Sequence, residues 1–407
     1  MTDRERSDGL VFDGVPDGTR LVPDLLRWYE QNRRDLPWRG TPEPYRVWLS
    51  EVMLQQTRVE TVIPYFGRFL ARFPTLEALA AADENDVLAA WSGLGYYRRA
   101  RSLHAGAKRI VEAHGGEFPR SIDEALALPG IGPYTAAAIL SISFGAPHAV
   151  LDGNVERVLA RWLRLRGDPR RAVAKRFLHS LLDGWMPHGR ASDFNQALME
   201  LGALVCTPSS PRCERCPLAA SCAARGTGDA ENFPQLAPRR ETVLVELEAG
   251  LLRHRGRYLL ERSEGLGFLE GLWLFPLATR SRDLAGAGAS EARDESCAEE
   301  RDENPGGIAA ALSERLGRAV HRAGHRAGHR AGACELRAVR HSITFRRITI
   351  RPVWLEASSL GVAADLVRAG DREARWRWLR LEDLGERVAV SSLCLKIAAR
   401  IREARGD

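Results

Sequence analysis

The tightest constraint on this chain is the run Leu128-Pro129-Gly130-Ile131-Gly132-Pro133-Tyr134, continued by the apolar stretch from Thr135 to Leu140. Two glycines one residue apart turn a backbone where bulkier residues resist. Pro133 suits the first position of a helix, where its missing N–H costs nothing. The pattern predicts a short helix over 122–128 capped by Ser121, a tight turn and a second helix, all within about 121–145. Such a turn leaves N–H groups near Gly130, Ile131 and Gly132 aimed outward at a helix N-terminus, a ready site for a phosphate. Shortly afterwards comes Leu151-Asp152-Gly153-Asn154-Val155, an acidic residue at the start of a further helix.

With 407 residues the chain has room for two or three domains. Residues 1–20 are polar and Gly-rich and read as a loose tail. Residues 21–225 form a succession of helical patterns without strand-like alternation, so this part is expected to be all-α. A polar, Pro-containing stretch over 226–240 reads as a linker. Within 241–405 the pattern changes, with strands expected over 243–251, 257–260, 272–275 and 343–354, which makes this part α+β. It contains a biased insertion over about 281–333, with three His-Arg-Ala-Gly copies starting at His321, His325 and His329. That tract reads as a solvated loop. No apolar run is long enough for a membrane span and the first residues lack a signal-peptide core, so a cytoplasmic protein is expected. The net charge of +6 allows an anionic partner without demanding one.

Two further features carry chemistry. The stretch 45–65 reads as one helix, and on it Glu51 falls four residues after Val47 and three before Leu54, on the same apolar side. A carboxyl held there is desolvated and its pKa rises, the condition for a general acid at neutral pH. Cys206, Cys213, Cys216 and Cys222 have the spacing C-x6-C-x2-C-x5-C, which by itself fits an iron–sulfur cluster or zinc.

The hairpin with its aspartate resembles the helix-hairpin-helix of the endonuclease III superfamily of DNA glycosylases. Leu36-Pro37-Trp38-Arg39, Ser50-Glu51-Val52-Met53-Leu54-Gln55-Gln56-Thr57, Gly93-Leu94-Gly95-Tyr96-Tyr97 and Leu151 to Val155 resemble one branch of it, the adenine DNA glycosylases or MutY family. The likeness runs from about Leu25 to Cys222. The cysteine spacing matches that superfamily's 4Fe–4S loop, over 206–222. The resemblance implies an all-α helix-hairpin-helix half followed by an α+β Nudix-like domain. It also implies a monomeric, monofunctional enzyme that hydrolyses adenine from duplex DNA where it faces 8-oxoguanine or G. Glu51 would protonate the leaving base and Asp152 would stabilise the cation-like sugar. Asn154 would steady the site, and Tyr134 would hydrogen-bond to Asp152 or the sugar. Trp38, Arg39, Leu54 and Gln196 are similar to residues lining the adenine pocket. Gln56, Leu94 and Tyr96 are similar to those that fill or wedge the gap left by the flipped base.

Superfamily members that also cut the backbone carry a lysine where this chain has Tyr134, so no efficient lyase step is expected. The Nudix-like part lacks the Glu-rich helix G-x5-E-x7-R-E-U-x-E-E of a working Nudix hydrolase. The family's Phe-Ser-His turn, which reads the oxidised guanine, corresponds here to Ile343-Thr344-Phe345, so Thr344 keeps the hydroxyl while the histidine is missing. Two other functions remain compatible with parts of the sequence: an endonuclease III-like glycosylase and lyase for oxidised pyrimidines, and a damage-binding protein without turnover.

Overall fold

The computed structural model describes residues 5–7, 10–15, 17–238, 241–264, 269–279, 307–316, 320–322, 336–357, 375–385 and 388–406. The chain divides into two compact units, one of residues 1–81 with 98–239, the other of residues 82–97 with 240–407.

The first unit opens with two short antiparallel strands, β1 (Glu5–Ser7) and β2 (Leu10–Phe12), and continues as helices. These are α1 (Gly18–Asn32), α2 (Pro44–Leu54), α3 (Val59–Arg72) and α4 (Leu76–Ala81). After α5 (Glu84–Ala90), which belongs to the second unit, come α6 (Arg98–His114), α7 (Ile122–Leu126), α8 (Pro133–Phe144) and α9 (Gly153–Trp162). The series ends with α10 (Ala172–Trp185), α11 (Ala191–Leu204) and the short α12 (Ala223–Gly226). The apolar faces of α1, α9, α10 and α11 meet in one core around Leu159, Leu178 and Leu201. Helix α8 is buried from Thr135 to Ser141 on every side, as expected of a helix apolar all round.

The hairpin forms as its sequence requires. Gly132 is the N-cap of α8, with Pro133 in the first turn. Gly130 takes φ +77°, and a Cβ there would lie 2.4 Å from that of Ser102, so both conformation and space call for glycine. Ser121 does occupy the N-cap of α7, but its side chain makes no capping bond and the helix ends at Leu126. The Ile131 N–H is not free as expected: it bonds to the Leu128 carbonyl. Among the described residues the Gly130 and Gly132 N–H groups have no backbone partner.

Three other expectations are corrected. The helix expected over 45–65 is two helices, broken at Gln55 to Arg58, with Gln56 at φ 59°. The Arg99 guanidinium holds that break by binding the carbonyls of Val52, Met53 and Gln55. Part of the expected N-terminal tail is docked, because Phe12 stacks on Phe177 at 4.8 Å and Asp13 pairs with Arg164. The expected linker is likewise attached to the first unit, through Arg161 to the Phe233 carbonyl and Asp168 to the Ala237 N–H.

In the second unit a mixed sheet lies between two helices. Its strands are β3 (Val243–His254), β4 (Arg257–Arg262), β5 (Trp273–Leu274), β6 (Leu277–Thr279), β7 (Val320–Arg322), β8 (Val339–Ile343), β9 (Arg346–Ala357) and β10 (Trp376–Leu379). The main path runs β10-β4-β3-β9-β7, with the central β3 and β9 parallel over ten residue pairs. Alternate residues serve opposite faces. Leu251, Tyr258 and Trp354 pack toward α14 (Ser392–Arg405), while Leu252, Leu259 and Leu355 pack toward α13 (Ile308–Leu316). Helix α13 falls inside the insertion read as a solvated loop, yet Ile308 and Leu312 are fully buried, because apolar residues four apart on its sequence match the sheet. The His325 and His329 copies, Cys297 and Cys334 lie outside the described residues.

Candidate active site

Glu51 reaches the interior because α2 buries every residue from Val47 to Met53. Its Oε2 accepts a hydrogen bond from the Tyr134 hydroxyl, which projects from the first turn of α8. The expected partners were Asp152 or the sugar; among the protein's own groups the structure pairs the tyrosine with the other acid. The same hydroxyl lies 3.7 Å from the Met199 sulfur on α11. Burial is the main cause that pushes the Glu51 carboxyl up to about 7; the Asp152 charge adds to it, while the Tyr134 hydrogen bond and the Arg39 charge oppose it. Tyr134 is itself raised, first by burial and then by the charges of Glu51 and Asp152. The two carboxyls therefore share one electrostatic environment.

Asp152 is the N-cap of α9. Its Oδ1 accepts the Asn154 and Val155 N–H groups at 2.9 and 2.8 Å, and its Oδ2 accepts the Asn154 side-chain amide at 2.9 Å. Burial raises this carboxyl, and these three donors with Arg157 pull the other way. Capping and a chemical role are compatible here, because the donors that cap the helix also favour the ionised form. The loop leading to Asp152 is pinned by Asn195, which is fully buried. Its amide donates to the His148 carbonyl and Ser141 hydroxyl and accepts the Val150 N–H.

Arg157, one turn into α9, binds the Asn154 side-chain oxygen, the Gly202 carbonyl and the Cys206 carbonyl, at 2.9, 2.9 and 2.8 Å. Gly202 is required there, since a Cβ would lie 2.6 Å from that of Asn154. Arg39, expected in a base pocket, commits its guanidinium to both oxygens of Glu200 and to the Arg34 carbonyl. Arg34 binds Glu200 as well. Gln196 turns its amide onto Ser192, Trp38 is buried edge-on against Phe66, and Leu54 is half-buried at the end of α2. Glu51, Tyr134, Asp152 and Asn154 are thus gathered, whereas Leu94 and Tyr96 belong to the segment 82–97 of the second unit. Tyr96 is 43 % exposed with φ 51°, and Gln56 is exposed. Asn195, Arg157, Arg99 and Glu200 were not singled out from the sequence. Only Glu200 carried a signal there, as a carboxylate among the apolar positions Ala197, Leu198 and Leu201.

Residues 49–183 match the HhH-GPD superfamily of base excision DNA repair proteins, and residues 206–222 match the iron–sulfur binding domain of endonuclease III. The chain is 38 % identical over 323 residues to the adenine DNA glycosylase of Homo sapiens, covering 66 % of this chain and 59 % of that one. It is 36 % identical over 267 residues to the adenine DNA glycosylase of Buchnera aphidicola subsp. Baizongia pistaciae, covering 64 % of this chain and 74 % of the relative. The chain belongs to the adenine DNA glycosylase family. It spans about three fifths of the length of the mammalian relatives it matches. A solved thermostable thymine-DNA glycosylase is similar at 28 % identity and a TM-score of 0.47, over 52 % of this chain and 97 % of that one.

The four cysteines of the 206–222 match fit that family's cluster. Cys206, Cys216 and Cys222 pack against the core of the helical unit. Burial pushes the Cys216 thiol up to about 12, and the charges of Cys206, Cys222 and Cys213 add to it, so the four sulfurs lie within one another's field. Arg161 donates to the Cys206 sulfur at 3.4 Å, a contact of the kind that tunes such clusters. Among the described residues no group of three His, Cys, Asp or Glu side chains is gathered closely enough for a single ion. A 4Fe–4S cluster does not ask for that, because each thiolate binds its own iron. When bound, the cluster supplies four iron–thiolate bonds that cross-link this loop. Cys394 is a buried core thiol of the second unit. No helix among the described residues is long and apolar enough to cross a membrane.

Proposed function

We propose that this chain is a monofunctional adenine DNA glycosylase that hydrolyses the N-glycosidic bond of adenine facing 8-oxoguanine or G in duplex DNA. The observation that carries the reading is the pairing of a buried, protonatable Glu51 with an ionisable Asp152 held by three N–H donors. Breaking a purine glycosidic bond needs a proton on the departing base and an anion beside the cation-like sugar, the same two demands that paired carboxylates meet in glycoside hydrolysis. Glu51 protonates the base from Oε1, because Oε2 is taken by Tyr134. Asp152 stays ionised and shelters the sugar, by its field or by a transient covalent bond. Tyr134 and Asn154 act as positioning residues, each fixing one carboxyl. The flipped adenine meets Trp38, Leu54 and Gln196, and the exposed Gln56 and Tyr96 fill the space it leaves, whereas Leu94 is buried and backs the turn that carries Tyr96. Arg39 reaches that pocket through its charge rather than by direct contact, since Glu200 holds it. The hairpin N–H groups of Gly130 and Gly132 take a backbone phosphate.

The second unit is Nudix-like in this reading, and the mixed sheet between α13 and α14 supports it. Thr344 sits at the first position of the two-residue turn joining β8 to β9, at φ 53°. A β-branched residue rarely accepts that conformation, and such strain is found where function holds it. Its hydroxyl donates to the Ile343 carbonyl and is exposed, so it is available to an opposite base. The deciding experiment compares duplexes carrying A opposite 8-oxoguanine with duplexes carrying thymine glycol opposite A, each with and without alkali. Adenine release whose strand scission needs alkali is expected. Scission without alkali would replace this reading with a lyase, and binding without base loss would replace it with a damage-binding protein.

A further inference from the structure

The turn that carries Leu94 and Tyr96 is closed by its own residues. The Trp91 indole N–H donates to the Gly95 carbonyl at 3.1 Å, and Gly93 and Gly95 both take positive φ. Tyr97 follows at 5 % exposure, and its hydroxyl accepts the Gly93 N–H at 3.2 Å. That hydroxyl also donates to the Val390 carbonyl, 293 positions along the chain. The Ser92 hydroxyl donates to the same carbonyl at 2.9 Å. Both lone pairs of one backbone oxygen are thus taken by side chains flanking the turn. Ser92, Tyr97 and Val390 are all buried, so neither bond can be exchanged for water without opening the contact.

Val390 is itself held firmly. It bridges in parallel to Trp273 of β5, Ala389 accepts the Trp273 N–H, and Ser391 caps α14. A Cβ on Gly385 would lie 3.4 Å from the Ser92 hydroxyl, so the chain on that side also fits closely.

We propose that Ser92 and Tyr97 are positioning residues that lock the wedge turn to the C-terminal sheet, so that engagement of the opposite base by that sheet sets where Tyr96 stands. The inference rests on the adenine glycosylase reading. It assigns a specificity role to two hydroxyls that touch neither base. Where the sheet grips 8-oxoguanine, the lock passes that grip to the wedge. Where the opposite base is a plain G, the grip is weaker and the lock contributes less.

The test is Tyr97→Phe, which keeps the buried ring and removes only the hydroxyl. Single-turnover rates are measured on A opposite 8-oxoguanine and A opposite G, with 2-aminopurine beside the target adenine reporting unstacking. About a tenfold fall on the oxidised pair with less than a twofold fall on the plain one is expected, with a smaller 2-aminopurine signal on the oxidised pair alone. Ser92→Ala should move the same ratio in the same direction by a smaller factor, and it serves if Tyr97→Phe does not fold. A merely structural role would lower both rates equally or leave the ratio unchanged, and either result overturns the proposal. Failure of the wild-type protein to release adenine at all would instead sink the parent reading, and the inference with it.

Discussion

Two regions of the helical unit bury a glutamate to nearly the same depth, and they do opposite things with it. Glu51 on α2 is 6 % exposed and Glu200 on α11 is 1 % exposed. Burial by itself raises both carboxyls. At Glu200 the hydrogen bonds of Arg34 and Arg39 outweigh burial and hold it down at about 2. At Glu51 the hydrogen-bond partner is a neutral tyrosine, the Asp152 charge raises the carboxyl further, and it stays at about 7. Depth sets the cost of ionisation; the neighbours decide whether it is met. The two regions are linked, because Arg39 acts on both acids and Glu200 holds its guanidinium. A protonated acid beside an arginine is possible here because a second carboxylate has already taken that arginine.

The largest expected effect comes from abolishing the first member of the pair. Glu51→Gln should cut the single-turnover rate of adenine release by about 10²–10⁴, the usual worth of a positioned acid. It should also stabilise the protein at pH 8. The folded pKa of Glu51 is raised, so the native state keeps a proton that the unfolded chain has lost between pH 4.5 and about 7. Stability therefore falls as pH rises through that window, by up to about 3 kcal/mol for a shift of this size. Glutamine has no such proton to lose. Thermal melting at pH 4 and pH 8 checks this: the variant should match the parent at the lower pH and exceed it at the higher. A loss of stability at pH 8 would mean that Glu51 is paired rather than merely desolvated.

Breaking the second member should do the reverse. Glu200→Gln leaves the partly exposed Arg34 and Arg39 without their shared buried anion, a change expected to cost about 1–3 kcal/mol. Denaturant unfolding measures it. The freed Arg39 should also favour ionised Glu51, moving the alkaline limb of the rate profile to lower pH. A destabilised variant with an unmoved limb would show that the two regions are electrostatically separate.

The parts of this architecture visible in the sequence are those whose cause is local. Gly130, Gly132 and Pro133 specify a turn and a helix start within four residues, and Asp152 caps the helix that follows it directly. Glu51 was visible because its neighbours three and four positions away are apolar. By the same pattern Glu200 could have been noticed, but its pairing could not, since Arg34 lies 166 positions away. The break between α2 and α3 was illegible for a similar reason: Arg99, more than forty positions on, binds the carbonyls that a continuous helix would use itself. Helix α13 was hidden by the biased composition around it, and only the sheet explains why Ile308 and Leu312 are buried.

The smallest effect tests the tyrosine that separates the two cases. The Tyr134 hydroxyl donates to Glu51, so it favours the ionised acid and opposes burial. Tyr134→Phe removes that donor without adding a charge or emptying the space, and the Glu51 pKa should rise further. If Glu51 delivers the proton, its protonated fraction at alkaline pH must then increase. The alkaline limb of the single-turnover rate should move to higher pH, while the rate on the plateau changes by less than about tenfold as the carboxyl loses part of its orientation. A uniform fall across the whole pH range would mean that Tyr134 only packs against Met199. A limb moving to lower pH would mean that its hydroxyl stabilises the protonated acid, and the contrast drawn between a tyrosine at Glu51 and the arginines at Glu200 would fail.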